Sequence, residues 1–427
     1  MLDMKWVRNH PEEVQLAARQ KGIDFNVQEL LACDQLRREL LQNTDALRQD
    51  RNTLTSRIAA AMRLGEQQNE VDTWKAQVRQ CNDKLAQFEA KLTEAEQQFS
   101  RLQLLVPNIT SADTPVGASD EDNIEVRQVG EIPSFEYPLL DHVELGEQLG
   151  LIDLRRGVKV AGSRGYYLKN AGMLLHRAVQ QLALDLLMDH GFTVMDVPLM
   201  VRQDALVGTG FFPLGEDQCY ALPEDGLWLV GTSEVSLVSY CSNEIVDVTE
   251  PIRMAGVSAC FRREVGSAGR DVRGLYRVHQ FAKVEQVIIA PNDAELSNQL
   301  LEEMVGYSEA ILQALELPYR VMAVCTGDMS QKTHKQYDIE TWMPSRHQFG
   351  ETHSASNLLD FQARRCNIRY RDEAGDLQYC HTLNNTAVAS PRILIPLLEN
   401  HQQADGSIRI PKALQPYIRG MEVIKPQ

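Results

Sequence analysis

The sequence predicts an α+β protein in which an N-terminal antiparallel α-helical coiled-coil arm precedes a larger domain with a mainly antiparallel sheet flanked by helices. Three observations carry that prediction. From about Gln28 to Leu104 the chain is almost free of Gly and Pro and rich in Gln, Glu, Arg, Leu and Ala, all good helix formers. Apolar residues in its second half alternate spacings of three and four. Beyond about residue 130, helical stretches mix with short β-rich runs separated by irregular lengths, which favours an antiparallel or mixed sheet over regular βαβ units.

In the helical stretch the break falls near Leu64 to Asn69, at Gly65. After it, Val71, Trp74, Val78, Cys81, Leu85, Phe88, Leu92, Ala95, Phe99 and Leu102 form a heptad seam. Before it the seam is poorer: Leu40, Leu47, Leu54 and Ala61 recur every seven residues, joined by Leu36 and Ile58, with polar Asn43 between. Two helices of roughly 35 residues joined by a tight turn would each extend on the order of 50 Å. Such a hairpin serves as a dimerisation or spacer element, or as a surface for a polyanion. Residues 30–64 carry Arg37, Arg38, Arg48, Arg51, Arg57 and Arg63 against Asp34, Glu39, Asp45 and Asp50, so this helix is positive within an acidic chain. A guanidinium fork can hold two phosphate oxygens at once, although exposed helix arginines are commonly just solvated.

The domain boundaries read as residues 1–105 for the N-terminal domain, 106–130 for a linker and 131–427 for the larger domain. The linker is marked by Pro107, Asn108, Pro115, Gly117 and the acidic run from Asp120 to Asp122. Within the larger domain Met173 to His190 reads as a helix. Thr193 to Val197, Leu227 to Val230, Val284 to Ile289 and Tyr319 to Val324 read as strands.

Composition bounds the function. At 427 residues and 43% apolar the chain can bury a sizeable core. It has no run of eighteen apolar residues, and its first residues reach charge and Pro11 before any apolar signal segment, so it reads as neither membrane-spanning nor secreted. Cys33, Cys81, Cys219, Cys241, Cys260, Cys325, Cys366 and Cys380 are scattered without zinc-ligand spacing, which suits free thiols in a reducing cytoplasm. The net charge of −16 argues against an indiscriminate nucleic-acid binder, so any such contact is local. Neither a Rossmann nor a Walker phosphate loop is present.

The most chemical segment is Phe261-Arg262-Arg263-Glu264, followed by the Gly- and Arg-rich loop from Val265 to Gly274 and then by Arg277-Val278-His279-Gln280-Phe281. Flexible backbone with several guanidinium forks suits a polyphosphate, and an exposed basic loop is the plainer reading. These residues resemble motif 2 of the class II aminoacyl-tRNA synthetases, and the Gly266-Ser267-Ala268-Gly269-Arg270-Asp271-Val272-Arg273-Gly274 wording is similar to the seryl-tRNA synthetase form. Gly191 to Leu199 resembles motif 1, the dimer-interface strand of that class. Thr232-Ser233-Glu234 resembles the T-x-E serine signature, and Phe349 to Arg365 the metal-binding strand and the segment after it.

The resemblance implies ATP-dependent activation of L-serine and its transfer to serine tRNA, with selenocysteine tRNA as a further acceptor. It implies a homodimer that needs Mg2+. Arg262 would grip the α-phosphate, Glu264 would accept from the adenine amino group, and Phe281 and Arg392 would sandwich the ring. Arg277 would meet the outer phosphates, with Arg263, Val278, Thr352 and His353 completing the ATP site. Glu351 and Ser354, three apart, would supply oxygen ligands to the metal, whereas in isolation such a pair reads as surface polarity. Thr232, Ser233, Glu234, Glu285 and Thr386 would line the serine pocket. There a hydrogen-bonded hydroxyl rejects alanine strongly, and limited space rejects threonine more weakly. Arg37, Arg38, Arg48 and Arg51 would bind tRNA.

The likeness frays at motif 3, read here as Asn384-Asn385-Thr386-Ala387-Val388-Ala389-Ser390-Pro391-Arg392, where Thr386 stands in place of the usual serine. Ser390 and Pro391 are expected to cap and open a helix carrying Arg392 through Ile393 to Glu399. Gly210 to Gly215 also departs from the common pattern. Two rivals compete with the ligase reading: a serine-activating paralogue that hands serine to a carrier protein or biosynthetic pathway, and a catalytically inactive tRNA-binding protein. The complete arm argues against the first, and the intact Arg262, Glu264, Glu351 and Arg392 against the second.

Overall fold

The computed structural model describes residues 1–64, 68–266 and 273–426. Two compact units emerge: residues 3–19 with 23–106, and residues 1–2, 20–22 and 107–427.

In the first unit, helices Val27–Leu64 and Gln68–Leu105 bracket the expected break; Gly65 itself lies outside the described residues. Each is about 57 Å long at ~1.5 Å per residue. Their pairing is antiparallel: Leu40 packs with Leu92 and Ala95, Arg37 lies over the Phe99 ring at 4.5 Å, and Arg48 bonds Glu89 at 2.9 Å. The second helix presents the expected seam, with Val71, Leu85, Leu92, Ala95 and Phe99 buried.

The first helix corrects the reading in phase. Leu36 is 49% exposed, and the second set of seam positions is Arg37, Thr44, Arg51 and Ile58, one residue on from Leu36 and Asn43. Thr44 is tolerated there because its hydroxyl donates to Leu40 O at 2.8 Å, satisfying itself within the helix. Arg37 is tolerated because its guanidinium lies on an aromatic face while its head pairs with Asp34 at 3.0 Å.

The second unit is built on an eight-stranded sheet: β1 (Ile124–Val129), β2 (Thr193–Asp196), β3 (Ile252–Phe261), β4 (Gln280–Ala290), β5 (Tyr319–Ala323), β6 (Lys335–Met343), β7 (Gln348–Asn357) and β8 (His381–Ser390). The order is β1-β5-β6-β7-β8-β4-β3-β2, antiparallel throughout except that β2 runs parallel to β3. The strand β1 falls inside the stretch expected to be a linker. Pro107, Pro115 and Gly117 do punctuate that stretch, but the β-branched residues Ile124, Val126 and Val129 suit an edge strand, which pairs with β5 across an irregularity at Val126.

Helices Asn170–Asp189 and Ala294–Ala314 pack on one face of the sheet around Leu175, Val179, Leu300, Met304, Val284 and Ile288. Period-two alternation then decides which residues face the other side. Gln286 and Asn385 turn to the helical face, where both reach Ser308 and the Met304 carbonyl. Their neighbours Glu285 and Thr386 therefore point the opposite way. The expected helix through Arg392 begins later, at Leu394. Ser390 instead ends β8 and bonds His176 at 2.8 Å, so Arg392 sits in the turn between strand and helix.

Candidate functional site

The face opposite those helices carries a cleft of about 320 Å³. The central strands furnish its floor. Phe281, Lys283 and Glu285 alternate along β4 and all line it. Thr386 of β8 stands directly opposite Glu285, with Ala387 an extra residue that bulges the strand.

A second bulge resolves what spacing alone made awkward. Residues three apart on a regular strand face opposite sides. In β7 the register with β6 shifts at Thr352, so that Glu351 pairs with Glu340 and Ser354 with Asp338, and both Glu351 and Ser354 reach the cleft.

The walls come from turns. Thr232 and Glu234 enter from the segment after the short strand Leu227–Leu229, with Glu234 opening the helix Glu234–Tyr240. Ser233 does not line the cleft. It is fully buried, and its hydroxyl donates to Gly256 O at 3.2 Å. Glycine keeps that approach open, because a Cβ on Gly256 would stand 3.0 Å from Ser233 Cβ and from Leu237 Cδ1, tighter than an ordinary contact. Arg262 leaves the end of β3, donates to Gly231 O at 3.2 Å and lies over the Phe281 ring at 5.3 Å. Glu264 holds a left-handed conformation (φ 54°) and pairs with Arg277 at 3.3 Å. Arg392 donates to Tyr276 O at 3.0 Å and Glu351 O at 3.1 Å, and lies 4.5 Å from the Tyr276 ring.

Of the residues expected to form the site, the structure brings together Thr232, Glu234, Glu285, Thr386, Arg262, Glu264, Val278, Phe281, Glu351, Thr352, His353, Ser354 and Arg392 around this one cleft. Arg263 is exposed, and Arg277 turns to Glu264 rather than lining the cleft. Ser267 to Val272, with Arg270, lie outside the described residues. Arg262 and Arg392 each lie on a different ring, Phe281 and Tyr276, where sequence reasoning expected Phe281 and Arg392 to act as one pair.

The electrostatics are those of a buried, charge-matched pocket. Burial pushes the Glu285 carboxyl up, and the adjacent Lys283 ammonium opposes that shift. Lys332 is pulled down by burial and supported by Glu234 at 2.5 Å. Burial holds His353 near 3, so it is a neutral imidazole. Asp338 is pushed up to about 8, by burial and then by the charge of Glu351, and it accepts from Gln336 at 3.0 Å. A carboxyl raised by a neighbouring carboxylate, with the Ser354 hydroxyl and a half-exposed Glu351 beside it, is a set of hard oxygens short of positive charge. Two carboxylates and a hydroxyl are the kind of oxygen donors a divalent cation takes, but no group of three or more His, Cys, Asp or Glu gathers into a metal site among the described residues.

Sequence reasoning missed Lys283, Lys332, Tyr276, Asp338 and Phe211, all of which belong to this region. Lys283 was legible, since it stands two before Glu285 on one strand and so shares its face. Nothing local marks Lys332, which reaches the cleft from the loop before β6.

The arm's arginines are placed differently. Arg37 and Arg38 both pair with the fully buried Asp34, at 3.0 and 3.1 Å, as does Arg8 at 2.8 Å. Burial alone would raise Asp34, but these guanidiniums hold it below the usual carboxylate range. Arg48 is exposed and paired with Glu89, whereas Arg51 is half-buried on the seam.

Similarity to known proteins agrees with this geometry. Residues 220–401 match the class II core domain of the tRNA synthetases for G, H, P, S and T, and residues 1–110 match the seryl-tRNA synthetase N-terminal domain. A serine–tRNA ligase of Deinococcus radiodurans is 46% identical, with 99% of each chain covered. One from Rubrobacter xylanophilus is 41% identical over 100% of this chain and 99% of its own. The crystal structure of seryl-tRNA synthetase from Pyrococcus horikoshii complexed with ATP superposes with a TM-score of 0.91 at 37% identity, covering both chains completely. With relatives at this identity over its whole length, and with the arm and the class II sheet in the expected order, the chain belongs to the seryl-tRNA synthetase family.

Proposed function

We propose that the chain activates L-serine with ATP in the cleft on the central sheet and transfers the seryl group to the 3′ end of serine tRNA. The observation that carries this reading is the cleft itself. Carboxylates and hydroxyls of Glu234, Glu285, Thr232 and Thr386 line it together with guanidiniums stacked on rings.

In the first step an oxygen of the serine carboxylate bonds to the α-phosphorus as the bond to the bridging oxygen breaks and pyrophosphate leaves. Arg262, already fixed by Gly231 O and Phe281, points a guanidinium at the charge that builds there, which lowers the barrier without reorganisation. The adenine lies against Phe281 and Arg392, with Glu264 accepting from its amino group. Arg263 and Arg277 stand on the side of the outer phosphates, and Val278, Thr352 and His353 shape the walls. Glu351 and Ser354 would hold Mg2+, which when bound offsets the charge of the phosphates. In the second step the terminal ribose hydroxyl of the tRNA attacks the seryl carbonyl and AMP leaves.

The serine pocket uses Glu285 and Thr386 for the substrate hydroxyl, the two side chains being 3.4 Å apart and opposed across the strands. The methyl of Thr386 narrows the space a β-methylated substrate would need. Ser233 contributes by fixing the turn that carries Thr232 and Glu234.

Residues 1–105 serve as the tRNA-binding domain and 131–427, together with the edge strand β1, as the catalytic one. Dimerisation through the edge strand β2, whose Val194 is exposed, fits its place at the end of the sheet. A cytoplasmic location suits eight free cysteines and the finding that no described helix is long and apolar enough to cross a membrane. Pyrophosphate exchange across the standard amino acids, followed by charging of serine tRNA, tests the function. Serine alone should drive efficient exchange, and equal exchange with alanine or glycine contradicts the assigned pocket.

A further inference from the structure

The amino-acid end of the cleft holds two lysines as well as two carboxylates, and neither chemical step employs Lys332. Its ammonium donates to Glu234 Oε1 at 2.5 Å and stands 3.8 Å from the centre of the Phe211 ring. The side chains of Lys332 and Glu234 are only 9% and 6% exposed. The same Glu234 oxygen accepts from Gln362 Nε2 at 2.7 Å, and Gln362 Oε1 in turn accepts from Thr382 at 2.7 Å.

The loop beneath Lys332 is fastened at three successive carbonyls. Asn108 donates from its backbone to Gln331 O at 2.9 Å and from its side chain to Lys332 O at 2.9 Å. The buried Lys21 ammonium donates to Gln331 O at 3.2 Å and Thr333 O at 2.5 Å. A lysine is ordinarily a mobile point charge on a flexible stem. Here its backbone is pinned, its stem is buried, and its head is shared between a carboxylate and an aromatic face.

We propose that Lys332 is a positioning residue of the serine pocket: it locks the Glu234 carboxylate in one orientation and, with Phe211, closes the pocket's far end. The bonds from Lys332 and Gln362 both end on Oε1, which leaves Oε2 for the amino acid. A carboxylate held by two donors cannot swing, so the ordering cost is met before substrate arrives. The charge count points the same way. Glu234 and Glu285 share one buried space, and each has its own ammonium, Lys332 and Lys283, with Arg262 beyond them. Loss of either lysine leaves two carboxylates with one neighbouring ammonium.

The inference rests on the serine reading of the cleft, and the test separates the two. Lys332→Met keeps the stem and removes the charge. In pyrophosphate exchange its KM for serine should rise about tenfold or more, the usual scale for losing a hydrogen bond to a charged group, with kcat and the KM for ATP little changed. Lys332→Arg should recover part of that loss. In a cycle with Glu234→Gln, the double variant should lose less than the sum of the singles.

A folded Lys332→Met protein with the parental serine KM overturns the proposal, and so does one whose serine and ATP KM rise together. If Lys332→Met does not fold, Lys332→Gln decides: it keeps a polar head in the buried space but removes the charge that holds Glu234, so an unchanged serine KM overturns the proposal. Should the parent activate a different amino acid, the serine reading fails, while the same comparison made with that amino acid still decides Lys332.

Discussion

The central sheet and the helical hairpin both carry arginines, and they hold them in opposite ways. Arg262 and Arg392 lie on rings and donate to backbone carbonyls, Arg262 to Gly231 O and Arg392 to Tyr276 O and Glu351 O, so each head is held by fixed main-chain partners. In the hairpin, Arg48 is exposed and bonded to Glu89 of the arm itself, whose side chain is exposed as well. Pairs of that exposed kind are worth little and are exchanged readily for another anion. Rigid placement suits a transition state whose charge appears at one point, and loose placement suits a long polyanion met at many points.

The comparison predicts unequal consequences. Arg262→Ala should lower adenylate formation by about 10²–10³ with the fold intact, since it removes a preorganised donor. A folded variant with near-normal pyrophosphate exchange would show that the transition-state charge develops elsewhere.

A middle-sized effect is expected from Asp338, whose carboxyl is pushed up from 3.8 to about 8 by burial and then by Glu351. The folded state therefore holds a proton that the unfolded chain has released. The stability this contributes is complete below the unfolded value and is lost as pH rises through about 8. Melting of the ligand-free protein should show that loss, and Asp338→Asn should flatten it. An unchanged pH slope in Asp338→Asn breaks the account of this corner of the cleft.

The smallest effects belong to the arm. Reversing charge at Arg48 should weaken tRNA binding and reduce its salt slope by about one for each phosphate that is no longer neutralised. Reversal at Arg37 and Arg51 should instead loosen the hairpin, because those side chains sit on the seam. Equal salt slopes in the Arg48 variant and in the Arg37 and Arg51 variants would remove the distinction between seam and surface.

Much of this was legible in the sequence where a period and a face coincide. The seam from Val71 to Leu102 was readable because every second-helix position obeys one register. The first helix misled because Thr44 and Arg37 occupy seam positions that hydrophobicity cannot find; the self-satisfied hydroxyl and the Phe99 ring that admit them are visible only in three dimensions. In the cleft, Phe281 and Glu285, which the family likeness named, reached one face by simple alternation along a strand. Glu351 and Ser354 did not, because a bulge at Thr352 is what aligns them, and no local signal marks a bulge. Lys332 was invisible for a related reason: its loop is fixed by Asn108 and Lys21, more than two hundred residues earlier in the chain.

The measurement that bears most directly on the division of labour uses one variant and two assays. Residues 30–104 are replaced by a short flexible linker, and serine-dependent pyrophosphate exchange and charging of serine tRNA are measured side by side. No residue assigned to ATP or serine precedes Thr232, so exchange should stay close to the parent while charging collapses. Charging at the parental kcat/KM would contradict the assignment of the hairpin to tRNA and leave it a spacer or assembly element.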